Sequence, residues 1–167
     1  MTEIEREFVG LFLGEGAIIF MGRQSSKKAK RRGFRVSFCI KMRDDDSPML
    51  EFLQREFGGK IYHQKGNLRY ISKGTPITNP LIENPSCEWV IFRKEECLRI
   101  LNLLEKVMLP SKKKKELVPT RKLINMEPGI KGKTKFGNRW TDEQILEQDN
   151  LHQEIISIRK FVPYKSS

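Results

Sequence analysis

The letters FVGLFLGEG, at residues 8–16, decide the fold of this chain. Upstream, Thr2 and Glu5 have the spacing of a capping box, which predicts a helix that begins here and ends at Gly14 and Gly16. Glu15 is therefore expected at a helix C-terminus, where aligned peptide dipoles already place partial negative charge. An acid there is unfavourable by ~0.3 to 1 kcal/mol unless a cation compensates. A divalent metal ion such as Mg²⁺ would do so.

Two glycines of this stretch predict a close contact between helices. Gly10 and Gly14 are four residues apart, so they share one helix face on which two backbones can approach closely. If a second copy packs there, two Glu15 carboxylates lie side by side and need a shared cation. The predicted dimer interface comprises Val9, Gly10, Leu13 and Gly14. The alternative is an ordinary core helix that ends in a solvated glutamate.

Composition limits the class of protein. The 167 residues are 32% charged and 38% hydrophobic, which predicts a single soluble domain over 1–167, with a linker and helix over 130–167. No apolar run is long enough for a membrane span, and the acidic start does not resemble a signal or transit peptide. We therefore expect an intracellular protein with no membrane partner. The odd number of cysteines indicates reduced thiols.

The charge of the chain indicates a polyanionic partner. The net charge is +11, and nucleic acid is the commonest partner of such a protein. Five of the basic residues lie within 27–32, between two predicted strands, which favours phosphate contacts over a merely solvated loop. No pattern indicates a small-molecule cofactor.

The strand after this basic tip has the clearest periodicity in the chain. Phe34, Val36, Phe38 and Ile40 alternate with polar residues, which predicts a half-buried antiparallel strand with a basic exposed face. Such a ribbon fits the major groove of double-stranded DNA. Neighbouring strands extend the predicted surface. The candidate DNA contacts are Met21, Arg23, Ser25, Lys27, Lys28, Lys30, Arg31, Arg32, Arg35, Ser37, Cys39, Lys41, Tyr62, Gln64 and Arg69.

The remaining elements predict an α+β chain. Ser47 and Pro48 are expected to be the N-cap and the first residue of a helix. Strands are expected at 60–64 and 87–92, a helix at 95–107, and then a short helical piece that Pro119 limits or kinks. Thr141 and Gln144 form a second capping box, which predicts a last helix. The three aspartates at 44–46 are expected to lead into the helix at Ser47 and not to bind metal.

Residues 8–20, FVGLFLGEGAIIF, resemble the motif of the LAGLIDADG homing endonucleases. Residues 40–62, 109–115 (LPSKKKK) and 138–145 (NRWTDEQI) also resemble later parts of that family, in the same order. The resemblance implies a helix-strand-strand-helix-strand-strand-helix fold with a curved antiparallel DNA-binding sheet and a helical C-terminal part. The chain departs from the family pattern at Leu13, where an acid is usual, and near Met42, where a glutamine is common.

The same resemblance implies a function. It indicates a homodimeric, site-specific endonuclease that cuts a long pseudo-palindromic DNA target and leaves 3′ overhangs. Glu15 and the Gly14 carbonyl match the metal ligands, with Mg²⁺ as the expected ion, Mn²⁺ as a substitute and Ca²⁺ supporting binding without cleavage. A basic catalytic residue is expected from Lys112 or Lys113, without preference between them. Such genes lie in introns or inteins, and an organelle-encoded copy would need no import signal.

Two other functions remain open on the sequence. The first is an RNA-binding intron maturase on the same scaffold, which the departures at Leu13 and Met42 keep open. The second is a DNA-binding regulator without catalysis, for which Glu15 would be dispensable. A symmetric pair of acids favours the nuclease, because nucleic-acid binding alone does not need them.

Overall fold

The computed structural model describes residues 1–22, 34–65, 68–69, 81–82, 85–106, 112–127 and 140–160. The described helices are α1 (Glu3–Glu15), α2 (Ser47–Phe57), α3 (Lys94–Lys106), α4 (Lys112–Asn125) and α5 (Asp142–Arg159). The described strands are β1 (Gly16–Gly22), β2 (Phe34–Arg43), β3 (Lys60–Gln64), β4 (Leu68–Arg69), β5 (Leu81–Ile82) and β6 (Ser86–Ile91).

The described strands form one four-stranded sheet, in the order β1-β2-β6-β3, and a two-stranded pair of β4 with β5. Strand β6 pairs antiparallel with both β2 and β3. The expected α+β class and strand positions are therefore confirmed. The chain divides into two compact units, one of residues 2–17 and 38–91, the other of residue 1, 18–37 and 92–167.

In the first unit, helix α1 is built as its sequence predicts. Thr2 and Glu5 form the reciprocal capping box, with Thr2 Oγ1 3.2 Å from the Glu5 amide. Phe8 and Phe12 are buried against aromatic neighbours, and the Phe8 ring lies 4.5 Å from that of Phe57 on α2. Trp89 on β6 is also buried and donates from Nε1 to the Gly58 carbonyl at 2.8 Å. The apolar residues Phe8 and Phe12 of α1 therefore pack in the core of this unit.

The aspartates before α2 have local partners. Asp44 to Asp46 form a single 3₁₀ turn, with Asp44 2.7 Å from His63 Nδ1 and Asp45 held by Arg43. Ser47 lies inside α2 rather than at its cap, and Gly58 ends the helix with a φ of 82° that favours glycine. The expectation that these acids lead into α2 is confirmed.

In the second unit, α4 is longer than expected. The helix continues through Pro119, although proline cannot donate the usual backbone hydrogen bond. The Thr120 hydroxyl donates to the Glu116 carbonyl at 2.6 Å, which satisfies one acceptor of this turn. Pro119 therefore lies inside α4 and does not limit it, and both α3 and α5 pack against this helix.

Helix α5 begins as predicted and packs on the same unit. Thr141 and Gln144 form its capping box, and Leu151 and Ile155 are buried. Gln148 is also buried, and its Oε1 accepts a hydrogen bond from the Phe34 amide at 2.9 Å. The His152 ring lies 4.6 Å from the ring of Phe34. Helix α5 therefore packs against the first residue of β2.

Candidate functional site

The end of α1 presents Glu15 to solvent. The helix continues through Gly14 and Glu15 and ends at Gly16, the second of the two glycines predicted to end it. Gly16 is extended, and a Cβ there would lie 2.6 Å from Phe12 Cγ, so this glycine is required by packing. The Gly14 carbonyl is among the last four of the helix, which lack helical donors. Glu15 is exposed and the helix has no basic residue in its last turn.

The glycine face of α1, defined by Gly10 and Gly14, is open. Both residues are exposed, and a Cβ at either would meet nothing within 4 Å in the described chain. No described part of the chain therefore packs so closely on Gly10 or Gly14 that a glycine is required there. Leu13 is half-buried beside them. Val9 is only 3% exposed, so its assignment to a dimer interface is wrong: it faces the core of its own chain.

The second candidate surface is the polar sheet face, defined by Lys41, Tyr62, Gln64 and Glu88. Glu88 is the direct strand partner of both Lys41 and Tyr62, so these three side chains share one face. Lys41 Nζ donates to Gln64 Oε1 at 3.1 Å across the sheet. Lys41, Tyr62 and Gln64 are exposed, as the sequence predicts. Glu88 is half-buried, and the sequence analysis missed it because its face depends on the pairing register of β6.

Two predicted DNA contacts on this side of β2 are buried. Ser37 is 0% exposed and Cys39 is 4% exposed. Strand β2 lies between β1 and β6, so a small side chain there is covered from both sides. Burial, followed by the nearby Glu88 carboxylate, raises the pKa of Cys39 to about 12. The prediction that Ser37 and Cys39 form an exposed reading face is therefore wrong.

Arg35 and Met21 have different surroundings. The Arg35 guanidinium stacks 3.9 Å above the Phe92 ring and is half-buried, which fixes its direction. Met21 on β1 is 46% exposed. Both positions stay candidate DNA contacts. The backbone of Arg69 lies in β4, and its side chain is outside the described residues.

The predicted contacts Arg23, Ser25, Lys27, Lys28, Lys30, Arg31 and Arg32 lie outside the described residues.

The candidate catalytic lysines begin α4. Lys112 is its first residue, and Lys113, the next, has a half-buried side chain. Both belong to the second unit, whereas Glu15 belongs to the first. The structure does not favour either lysine over the other as the catalytic group.

The donor atoms at the end of α1 suit a hard divalent cation. A carboxylate and a helix-end carbonyl are oxygen ligands of the kind that Mg²⁺ accepts. In the described part of the chain, no three His, Cys, Asp or Glu side chains cluster as a metal site. Glu15 and Gly14 could therefore provide only part of such a ligand set. Among the described helices, none is long and apolar enough to cross a membrane.

Solved structures share this arrangement of elements. The chain superposes on the archaeal intron-encoded homing endonuclease I-Vdi141I with a TM-score of 0.60 and 17% identity, over 98% of this chain and 89% of that one. For I-CvuI the TM-score is 0.61 and the identity 14%, over 98% and 85%. The chain has the LAGLIDADG homing endonuclease fold. The resemblance and fold expected from the sequence are therefore confirmed.

Larger proteins with the LAGLIDADG fold match this chain over half their length or less. A mutant of I-SmaMI matches with a TM-score of 0.56 and 18% identity, over 93% of this chain but 43% of the other. The LAGLIDADG meganuclease I-AabMI, bound to uncleaved DNA, gives a TM-score of 0.59 and 15% identity, over 89% and 45%. No protein-family sequence model and no curated protein sequence matches the chain.

Proposed function

We propose that this chain is a homodimeric, Mg²⁺-dependent, site-specific DNA endonuclease, encoded within a mobile intron or intein. The observation that carries the proposal is the exposed Glu15 beside the open glycine face of α1. The solved structures of I-Vdi141I and I-AabMI are DNA complexes, which supports a DNA partner for this fold. The net charge of +11 favours the same partner.

The glycine face provides the reason for a dimer. Glycine in a helix interior is destabilising by roughly 0.5–1 kcal/mol relative to alanine, and nothing described in the chain offsets that cost at Gly10 or Gly14. A second α1 packed on this face would use the missing side chains for a close backbone approach. A two-fold arrangement brings Glu15 from each copy to one axis, so the dimer supplies two acids where one chain supplies one.

Each residue then has a defined role. The Glu15 carboxylate and the Gly14 carbonyl would hold the metal ion, and the ion would supply charge neutralisation at the phosphate and a more acidic water. Lys112 or Lys113 would stabilise the negative charge that develops on the phosphate. The polar sheet face would contact bases, and the basic tip at 27–32 would contact phosphates. Cutting both strands across this axis would leave 3′ overhangs.

Substitution of Glu15 by glutamine tests this assignment. Glu15→Gln keeps the size of the side chain and removes its charge, so cleavage should fall by orders of magnitude. DNA binding should persist or tighten, because two carboxylates no longer repel the phosphates. Unfolding should cost ~0.3 to 1 kcal/mol more, since an unfavourable acid is lost from a helix C-terminus.

Cleavage and gel shift should be measured on one preparation, in Mg²⁺ and in Ca²⁺. The matched control is Glu51→Gln on α2, an exposed helical acid away from the motif, which should leave cleavage unchanged. A Glu15→Gln protein that cuts at the wild-type rate would refute the assignment. A wild-type protein that binds RNA tightly and cuts no DNA would instead favour the maturase.

A further inference from the structure

Arg159, in the last turn of α5, joins three elements of the second unit. Its Nε lies 2.9 Å from Glu116 Oε2 on α4, and its Nη2 contacts the same oxygen at 2.5 Å. Nη2 also donates to the Ile18 carbonyl of β1 at 2.8 Å. The guanidinium lies 5.2 Å from the ring centre of Phe20, which is also on β1. One side chain thus links α5, α4 and β1.

Glu116 needs the Arg159 guanidinium as its partner, because the Glu116 carboxylate is buried. Glu116 is 5% exposed, and a buried carboxylate without its cation is costly. β1 is at an edge of the four-stranded sheet, where backbone groups on the outer side need partners from elsewhere. Arg159 satisfies the Glu116 carboxylate and the Ile18 carbonyl at once, so the positions of α4 and β1 depend on the same guanidinium.

A second pair on α4 provides a comparison. Arg121 binds Glu105 of α3 through two contacts of 2.9 and 2.7 Å, so it is also an arginine–glutamate pair, with each nitrogen on a different carboxylate oxygen. Both of its side chains are about a third exposed, at 32% and 37%. This pair joins α4 to α3 and has no described contact with β1. Loss of the Arg121 pair would therefore affect only how α4 is held on α3. Loss of the Arg159 pair would affect the position of α4 relative to β1.

The position of Glu116 relates this network to the candidate catalytic lysines. Glu116 follows Lys112 by four residues and Lys113 by three, and residues at these spacings lie on the same side of a helix. Fixing Glu116 therefore fixes the rotation of α4 about its axis, and with it the direction of its first turn. β1, the other element held by Arg159, begins at Gly16, directly after Glu15.

We propose that Arg159 is a positioning residue for the reaction, which sets the basic first turn of α4 relative to β1 through Glu116 and the Ile18 carbonyl. The inference rests on the proposed nuclease function and goes beyond it, because Arg159 itself touches neither DNA nor metal in this account. Its loss should lower the rate of the chemical step more than the affinity for DNA.

A double-mutant cycle tests the proposal on the full-length chain. Arg159→Met should reduce the single-turnover cleavage rate in Mg²⁺ by about tenfold to a hundredfold, with target affinity in Ca²⁺ changed by less than about threefold. In a background of Lys112→Met with Lys113→Met, the same substitution should cause no further loss, because the groups that Arg159 positions are gone. Arg121→Met is the matched control and should leave the cleavage rate within about twofold of wild type.

Two further variants separate positioning from simple folding. Arg159→Lys keeps a cation for Glu116 but loses the fork that also reaches Ile18, so it should fold well and cut at an intermediate rate. Arg159→Met with Glu116→Met replaces the pair by apolar groups, which should recover thermal stability without recovering the cleavage rate.

The outcomes distinguish this proposal from the nuclease assignment. Equal, additive losses for Arg159→Met in both backgrounds would overturn the positioning role while leaving the nuclease intact. Recovery of full cleavage by the paired methionine variant would also overturn it. If the wild-type protein cuts no target, the proposed function fails first, and the positioning role fails with it.

Discussion

The glycine face of α1 and the polar sheet face are both exposed, but they are built in opposite ways. On the glycine face, Cβ atoms at Gly10 and Gly14 would meet nothing within 4 Å in the described chain. On the polar sheet face, long side chains already contact one another, as Lys41 does with Gln64. The first surface suits the close approach of a second backbone, and the second suits a hydrated partner read by side chains.

The glycine face should be the more sensitive of the two surfaces. Gly10→Leu or Gly14→Leu should place a side chain where a second α1 would pack, which should separate the copies and abolish cutting. Gly10→Ala should have opposite effects on the single chain and on the dimer. It should stabilise the separated chain by roughly 0.5–1 kcal/mol while weakening the dimer. Sedimentation, thermal unfolding and cleavage measured together give the three readouts.

The control for these variants is Glu51→Leu, a leucine at an exposed position of α2, which should leave mass and cleavage unchanged. A wild-type mass of one chain at micromolar concentration would argue against the dimer. So would a Gly10→Leu protein that still cuts.

The polar sheet face and the basic tip should differ in specificity. Lys41→Met should cost ~1 to 3 kcal/mol on the cognate target and relax selection at one position in each half-site. Lys28→Ala with Lys30→Ala should weaken binding to all sequences and reduce the salt slope by about 4 for the dimer, because each copy loses two phosphate contacts. Binding titrations on cognate and random duplexes over a range of salt provide the test. If the sheet-face and basic-tip variants weaken binding to cognate and random duplexes equally, the sheet face does not read bases and the two surfaces do not differ in role.

The buried part of the sheet predicts a smaller, pH-dependent effect. Burial raises the pKa of Cys39 and of Cys97 from an ordinary 9.0 to about 12. An unfolded thiol loses its proton at lower pH than the folded one, so the stability from each neutral thiol is complete below pH 9. The free energy of unfolding should then fall by up to ~1.4 kcal/mol per pH unit for each thiol as the pH rises toward 12.

Urea unfolding between pH 7.5 and about 10.5 measures this slope. Cys97→Ala should make the decline shallower, and a thiol reagent should label Cys39 only as slowly as the protein unfolds. Rapid labelling of folded protein would show that Cys39 is accessible, and would restore it to the candidate DNA surface.

Local patterns predicted much of the fold. The capping boxes at Thr2 and Thr141 each need only residues three apart, and both helices begin where those pairs place them. The alternation in β2 correctly identified Phe38 and Ile40 as core residues. The motif at 8–16 likewise placed Glu15 at the exposed end of α1.

Features set by contacts between distant segments were not predicted. Ser37 and Cys39 alternate like exposed residues, but their burial depends on the strands on both sides of β2. Glu88 joins the polar sheet face only through the register of β6. The bond from Arg159 to Glu116 spans 43 residues, so no local pattern indicates it.

The proposed nuclease, with Glu15 at the end of α1, should cut DNA at a specific sequence. The most direct measurement incubates wild-type protein with a duplex library, with and without Mg²⁺, and sequences the new ends. We predict paired ends on both strands within one recurrent, near-palindromic sequence, offset to leave 3′ overhangs, and only when Mg²⁺ is present. No new ends with Mg²⁺, or the same ends without it, would contradict the account.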